Sequence, residues 1–377
     1  MTRVLMLVSN GFTHDPRVSA EAASLTEADY DVTVLAWDRK GTLSREEVRN
    51  GVRIVRVRNT LGMRLRLYDF FRLRPFWRLA ARRALALHAA TPFAVIHCHD
   101  FDTLPAGVRF KERTHVPLIY DAHEVFPYLL ELSRARRWAP KFEQMERGLV
   151  PHADLVIAAG PGHRDYVQSM TRAPIVVVTN SKPLASKGYE PPARQRMTVA
   201  YYGGLDPSRL LVSLAELAVE DGSFDVEIAG EGPLAGRIRE MAAKSRGNLR
   251  YLGLIPMEEV VERTRAADVV FSVFDPTRRL NRVGAPNKLF EALAAGRPVL
   301  VAKGTWAATA VEAAECGLAI EYSKDALGAA LRSLVADPGL RERLGRNALR
   351  LAVEQYNWAR DEAALREAYA RLLRAKP

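Results

Sequence analysis

The chain has 377 residues, 48% of them hydrophobic and 26% charged, and a net charge of +11. At roughly 150 residues per domain the length favours two domains. The composition is that of an ordinary globular protein, which excludes disordered and collagen-like chains, and no run reaches the roughly 18 apolar residues of a membrane-spanning helix. The apolar start, Met1 to Val8, leads into Ser9-Asn10-Gly11 without a small-residue cleavage site, so it reads as a first strand rather than a signal peptide. The two cysteines, Cys98 and Cys316, fit neither a metal spacing nor a disulfide framework, which points to a reducing cytoplasm.

Short runs rich in Val, Ile and Leu alternate with segments of helical period, the pattern of parallel sheets covered by helices on both faces. Strands are expected near residues 3–9, 32–37, 52–57, 93–98, 118–121, 155–158 and 175–178. Residues 181–196, rich in Pro, Ser, Lys and Arg and without a hydrophobic period, read as a linker. A second series follows near residues 198–202, 224–229, 249–252, 269–273, 299–301 and 319–322. The expected architecture is α/β, two doubly wound domains, with boundaries near 1–185 and 196–355.

In such sheets ligands bind beyond the carboxyl ends of the strands, so the residues just after each strand are the candidates. The first exit carries Gly11, His14, Asp15 and Arg17, with Asp15 placed as helix N-cap and Pro16 as first helical residue. This is either a ligand-cradling loop or a plain capped turn. The fourth exit carries His97-Cys98-His99-Asp100, in which strand alternation puts His97 and His99 on one face. The next exit is Asp121-Ala122-His123-Glu124.

In the second series, Gly203 and Gly204 leave a strand and Arg209 is expected in the first turn of the following helix; paired glycines let a ligand approach the backbone closely. Gly230-Glu231-Gly232 also follows a strand, but its glycine spacing departs from the dinucleotide fingerprint and reads first as a turn. From Pro286 a helix is expected to run to Gly296, with Lys288 and Glu291 on one face. A helix N-terminus with a lysine suits a pyrophosphate, and a carboxylate one turn deeper suits the two ribose hydroxyls. The alternative is a plain surface pair.

The basic excess is eight charges in the first 190 residues and three in the rest. Between Leu61 and Ala90 seven arginines face one acid, Asp69, among Tyr68, Phe70, Phe71, Phe76 and Trp77. With Arg134, Arg136, Arg137 and Trp138, that mixture suits an anionic membrane surface. Phe76, Leu79, Ala80, Ala84 and Leu87 also recur at helical spacing and equally suit a core-facing stripe. No nucleic-acid recognition motif accompanies the charge.

Taken in order, Asp15-Pro16-Arg17-Val18 with Glu21-Ala22, Ile96 to Asp100, Tyr120 to Glu124, and Pro286 to Ala292 through Gly296-Arg297-Pro298-Val299 resemble the retaining family 4 glycosyltransferases of GT-B fold. The resemblance runs over nearly the whole chain. It implies two Rossmann-like domains facing a central cleft, with a last helix over about 356–377 packing back onto the first domain, a nucleotide diphosphate sugar in the second domain, an acceptor in the first, and catalysis in the cleft between them. Glu291 matches the second glutamate of the family's paired-glutamate motif and would bind ribose; Val283 stands where the first is expected. Gly204 takes the place of the usual arginine, so Arg209 and Lys288 are expected to share the diphosphate. His99 matches the histidine near the anomeric centre.

The resemblance thus implies His99, Arg209 and Lys288 as catalytic. Gly203, Gly204, Gly230, Glu231, Asn287, Leu289 and Glu291 would hold the donor, and Gly11, His14, Asp15, Arg17, Asp100, His123 and Glu124 would line the acceptor side. No cofactor or metal is expected, and the acceptor is expected to be a cell-envelope glycan or lipid-linked saccharide. The expected setting is the cytoplasm or the inner face of the membrane, with no nucleic-acid partner. Two other readings stay open: a metal-dependent hydrolase built on His97, His99 and His123 with Asp100 and Asp102, and a basic membrane- or nucleic-acid-binding protein without catalysis.

Overall fold

The structure is a computed structural model that describes residues 1–374 apart from 61–62, 64–68, 186–187 and 194. The chain divides into two compact units, Met1–Val178 together with the residues from Glu362 on, and Thr179–Asp361.

The first unit is built on an eight-stranded sheet of β1 (Thr2–Leu7), β2 (Tyr30–Asp38), β3 (Glu46–Arg49), β4 (Val52–Arg58), β5 (Val95–His99), β6 (Leu118–Ala122), β7 (Leu155–Ala158) and β8 (Ile175–Val177). Its order is β3-β4-β2-β1-β5-β6-β7-β8, parallel except for the β3–β4 pair. Strands such as Leu-Val-Ile-Ala in β7 are apolar at every position because helices cover both faces. The strand β3, Glu-Glu-Val-Arg, escapes a search for apolar runs because it pairs at the edge and is largely exposed.

The stripe from Phe76 to Leu87 proves to be core-facing, with Phe76, Ala80, Ala84 and Leu87 buried in the Asp69–Ala90 helix. The C-terminal helix, Trp358–Arg374, belongs to this unit from Glu362 onward. Its Leu365, Ala368 and Tyr369 are buried with Val4, Met6 and Leu25, and Arg366 bonds the Ser24 carbonyl and hydroxyl at 3.1 Å each. The expected last residues, 375–377, lie outside the described residues.

The second unit holds a six-stranded parallel sheet: β9 (Thr198–Tyr202), β10 (Asp225–Ala229), β11 (Leu249–Tyr251), β12 (Val269–Ser272), β13 (Val299–Ala302) and β14 (Gly317–Ile320). The order is β11-β10-β9-β12-β13-β14. Chain order therefore reverses between β9 and β12, as it does between β1 and β5 in the first sheet, and those reversals are where doubly wound sheets open a crevice.

The expected linker is part of the second unit. Asp361 accepts from the Thr179 amide at 3.0 Å and its hydroxyl at 2.6 Å, the Ala185 amide donates to the Ala294 carbonyl at 3.0 Å, and the Tyr189 ring lies under Arg346 at 4.9 Å. Residues without a hydrophobic period are held there by hydrogen bonds and cation–π contacts rather than by an apolar face.

Candidate functional site

In the second unit the crevice is made by glycines and cations. Gly203 leaves β9 at φ +147, and a Cβ there would stand 2.3 Å from Lys288 Nζ, so the lysine lies directly on the glycine backbone. Gly230 leaves β10 at φ +131, where a Cβ would stand 1.9 Å from the Gly203 carbonyl oxygen. These glycines pack two loops backbone to backbone, with the Leu205 amide donating to the Glu231 carbonyl at 2.9 Å. Gly230 thus acts by supporting Gly203, and the turn reading of the Gly230-Glu231-Gly232 loop accounts for it.

Lys288 is the second residue of the Asn287–Ala294 helix, whose N-terminus has no side-chain cap. Its ammonium lies 4.7 Å over the ring of Tyr201. The Tyr201 hydroxyl accepts from Arg209 Nη1 at 2.6 Å and donates to the Gly204 carbonyl at 2.5 Å, while the Arg209 guanidinium lies 4.7 Å over the ring of Phe274. Arg209 closes a short helical turn, Pro207–Arg209, ahead of the Leu211–Asp221 helix rather than sitting inside that helix. The next residue, Leu210, is held at φ +52, a conformation unusual for a branched side chain.

Among the described residues neither Arg209 nor Lys288 forms an ion pair with a carboxylate. Burial pulls the Lys288 pKa down to about 8, with Glu291 opposing and Arg209 adding to the fall. Glu291 is half-buried one turn further on and Asn287 is exposed. Leu289, expected as a donor contact, is instead a fully buried core residue packed with Phe290 and Leu293, and its amide is taken by the Pro286 carbonyl at 3.0 Å.

In the first unit, polar groups gather at the exits of β1, β5 and β6. Strand register sets His99 beside Asp121, and Phe12 and Asp100 occupy positive φ at two of these exits. Arg17, one turn before Glu21 on the Pro16–Glu27 helix, pairs with Glu21 at 3.1 Å and with Asp121 at 3.0 Å, and donates to the Val178 carbonyl at 2.7 Å. His97 Nδ1 is 2.8 Å from the Tyr369 hydroxyl. The rings of His97 and His99 are 4.1 Å apart, on one face as the alternation implies.

The protonation pattern follows from these neighbours. Burial opposes charge on Asp121, but Arg17 and His123 outweigh it and hold that carboxyl well below its usual range. Burial also opposes charge on His123, yet Asp121 and Asp100 keep its pKa up at about 9. Burial and the Asp121 charge push Glu21 upward. Burial and His97 push His99 well down, leaving a neutral ring. His99 Nδ1 is 3.3 Å from both Asp121 Oδ2 and His123 Nε2, and its Nε2 is buried without a hydrogen-bond partner.

Other expected residues have structural tasks here. Asp15 caps its helix by accepting from the Val18 amide at 3.1 Å, the Gly11 carbonyl accepts from Arg56 at 2.8 Å, and Arg17 is a buried linchpin rather than an open ligand group. His14 and Glu124 are exposed. Asp100 accepts from the His123 and Glu124 amides at 3.1 and 3.0 Å, and Asp102 accepts from the Ser9 hydroxyl.

Among the described residues, His97 and His99 gather with other partners than His123, Asp100 and Asp102. The set that does gather is Glu21, His97, His99 and Asp121, with one ligand atom from each within 4.8 Å of the others. Both of its carboxylates already face Arg17, and the imidazolium of His123 adds a second positive charge. The chain thus supplies the balancing cations itself, and a metal ion would have to enter against them.

Glu21, Asp121, Tyr201 and Tyr369 were not among the expected site residues. A carboxylate inside Leu-Ile-Tyr-Asp-Ala, a strand buried at every position, is the signal that could have found Asp121. Glu21 and Tyr369 carry no such local mark.

Residues 17–181 match Glycosyltransferase Family 4 and residues 196–350 match Glycosyl transferases group 1. The chain belongs to the family 4 glycosyltransferases. No curated protein is similar to it in sequence at a significant level. Sucrose-phosphate synthase from Thermosynechococcus elongatus superposes with a TM-score of 0.83 at 17% identity, over 100% of both chains. Anabaena Alr3699/HepE in complex with UDP gives 0.73 at 16% identity, over 98% of this chain and 100% of the other. Trehalose-6-phosphate synthase, studied for glycosyltransfer with retention, gives 0.70 at 14% identity over 100% of both. This glycosyltransferase has the GT-B fold.

Proposed function

We propose that this glycosyltransferase moves a sugar from a nucleoside diphosphate sugar to a saccharide acceptor of the cell envelope or to a lipid-linked saccharide, with retention and without a metal. The observation that carries the donor reading is the pair of cations, Arg209 and Lys288, set around Tyr201 at the β9 exit with neither held in an ion pair among the described residues. An uncapped helix N-terminus beside two cations outside any ion pair attracts an anion of high charge. The UDP held by the HepE neighbour is a ligand of that class.

In this reading Lys288 and Arg209 hold the diphosphate and Glu291 accepts from the ribose hydroxyls. The acceptor oxygen bonds to the anomeric carbon as the bond from that carbon to the phosphate oxygen breaks. The hydroxyl proton passes to the departing phosphate oxygen, so no protein nucleophile is needed. The two cations stabilise the charge that grows on the leaving group, and in this reading His99, at the end of β5, contacts the donor sugar near its anomeric centre. The setting is cytoplasmic, and no helix among the described residues is long and apolar enough to cross a membrane. The basic first domain supports the envelope or lipid-linked acceptor.

The test is a thermal-shift panel of UDP, GDP, ADP and dTDP, with and without EDTA, on wild type and Glu291→Ala. A ligand at about 100 times its Kd stabilises by roughly 2.7 kcal/mol. One nucleotide should win, indifferent to EDTA and lost in Glu291→Ala. No response to any nucleotide, with EDTA alone lowering Tm, would overturn the reading in favour of the metal set around Glu21 and Asp121.

A further inference from the structure

The donor chemistry leaves the arginine- and aromatic-rich surface of the first unit without a task. The basic stretch first separates into two parts. Arg64 and Arg66 lie outside the described residues, and Arg83 is paired with Glu46 at 2.8 Å. Arg74 and Arg78, by contrast, are exposed near the start of the Asp69–Ala90 helix. The same helix meets the Ala139–Leu149 helix around a cavity of about 390 Å³ lined by Phe71, Arg74, Trp77, Trp138, Lys141 and Phe142. The two arginine-bearing segments that stand far apart in the sequence therefore form one face.

Three properties of this face act together. Phe71, in the cavity wall, is 39% exposed, and Leu129 and Leu132, in and just after the Phe126–Glu131 helix that packs on the Arg136–Trp138 turn, are 37% and 46% exposed. Arg134, Arg136, Arg137 and Lys141 are exposed around them. Among the described residues Arg74, Arg78, Arg134 and Arg136 have no hydrogen bond or ion pair, while Arg137 and Lys141 lie 5.9 and 5.4 Å from the ring of Trp138. The nearby acid Glu143 is already paired with Arg147 at 3.5 Å.

We propose that this face, formed by the start of the Asp69–Ala90 helix, the Phe126–Glu131 helix and the Arg136–Trp138 turn, docks the protein on an anionic lipid bilayer. Unpaired cations meet lipid phosphates, while Phe71, Leu129, Leu132 and the edge of Trp138 enter the headgroup boundary. Neither component suffices alone: isolated cations bind any polyanion, and apolar rims of this size bind weakly. The combination with an amphipathic aromatic is what a charged interface selects. Bilayer docking is independent of which nucleotide the second unit binds, and its failure leaves that reading untouched.

The experiment is flotation of the full chain with vesicles of phosphatidylcholine alone and of phosphatidylcholine with about 30 mol% phosphatidylglycerol. Wild type should float only with the anionic vesicles. Arg134→Glu/Arg136→Glu/Arg137→Glu and Phe71→Ser/Leu132→Ser should each lower partitioning at least about tenfold, each lost charge being worth roughly fivefold. The control Lys244→Glu/Arg246→Glu/Arg343→Glu, exposed cations of the second unit, should change it less than about twofold. Circular dichroism melts check that all three stay folded. No flotation with anionic vesicles, equal loss in the control, or no loss in the apolar variant would overturn the proposal. So would tighter binding to duplex DNA that vanishes in the same arginine variant, which would make the face a nucleic-acid surface.

Discussion

Lys288 places its ammonium 4.7 Å above the ring of Tyr201, and the hydroxyl of that ring is held at 2.6 Å by Arg209. One tyrosine thus orients two cations on different segments toward the β9 exit, and burial keeps the lysine at a pKa of about 8. Only the ammonium form attracts a diphosphate, so affinity should hold below pH 8 and decline above it. Calorimetric titration with UDP between pH 7.5 and 9.5 should show Kd weakening by about 25-fold. Lys288→Met should bind weakly at every pH and without that slope. A wild-type affinity flat across the range would remove Lys288 from the site.

That relationship shows where the sequence could be read and where it could not. The strand runs, the Asp15-Pro16 start and the Pro286-to-Gly296 helix were visible because each depends on local periodicity or on a turn residue. Lys288 and Arg209 are legible as cations at or just before a helix start and His99 as the end of a strand. Tyr201 escaped because an aromatic inside a strand reads as core, and 1% exposed it is core on one side. Leu289, which the resemblance implies as a donor contact, has its side chain fully buried, because the apolar face of that helix turns into the core. Glu21 and Tyr369 joined the buried cluster through tertiary packing, across sequence separations that no local pattern reveals.

The Tyr201 hydroxyl lends itself to removal without loss of the ring. In Tyr201→Phe the cation–π contact to Lys288 survives, but Arg209 loses its 2.6 Å bond and the Gly204 carbonyl its donor. A hydrogen bond to a charged group contributes about 1.5–3 kcal/mol. UDP affinity should fall by roughly tenfold, while Tm moves by only a few degrees. A large loss of Tm with unchanged affinity would make the tyrosine a purely structural residue.

Arg17 and Glu21 offer opposite outcomes from one ion pair. Truncating Arg17 to Met leaves the buried Asp121 charge facing His123 alone, and breaking such a pair costs about 3–5 kcal/mol. Glu21, pushed upward by burial and by Asp121, is already close to its neutral form. Glu21→Gln should therefore lie within about 1 kcal/mol of wild type at pH 7, measured by urea unfolding. Metal analysis of the purified protein, and melts with and without EDTA, should give no difference if Arg17 fills the role of cation. Stoichiometric zinc that is lost in Glu21→Gln would reverse that assignment.

His123 gives the first unit a pH signature. Its folded pKa of about 9 lies above the unfolded value near 6.5. The folded state therefore holds the proton more tightly, and the stability this contributes is complete below pH 6.5 and lost as pH rises through 9. The size of the shift corresponds to about 3 kcal/mol. Glu21 acts with the same sign from its unfolded pKa upward, because its folded form also retains a proton that the unfolded chain gives up. Lys288 acts with the opposite sign, but only above its folded value of about 8. His97, His99 and His163, which burial pushes down, oppose this decline around the unfolded histidine value and fade above it, so urea unfolding should show stability declining most clearly between about pH 7 and 8. His123→Gln keeps a donor for Asp121 without the titration, and its slope over that window should be about half that of wild type or less. An equal slope in the variant would place the proton on another group of the cluster, with Glu21 the first to replace.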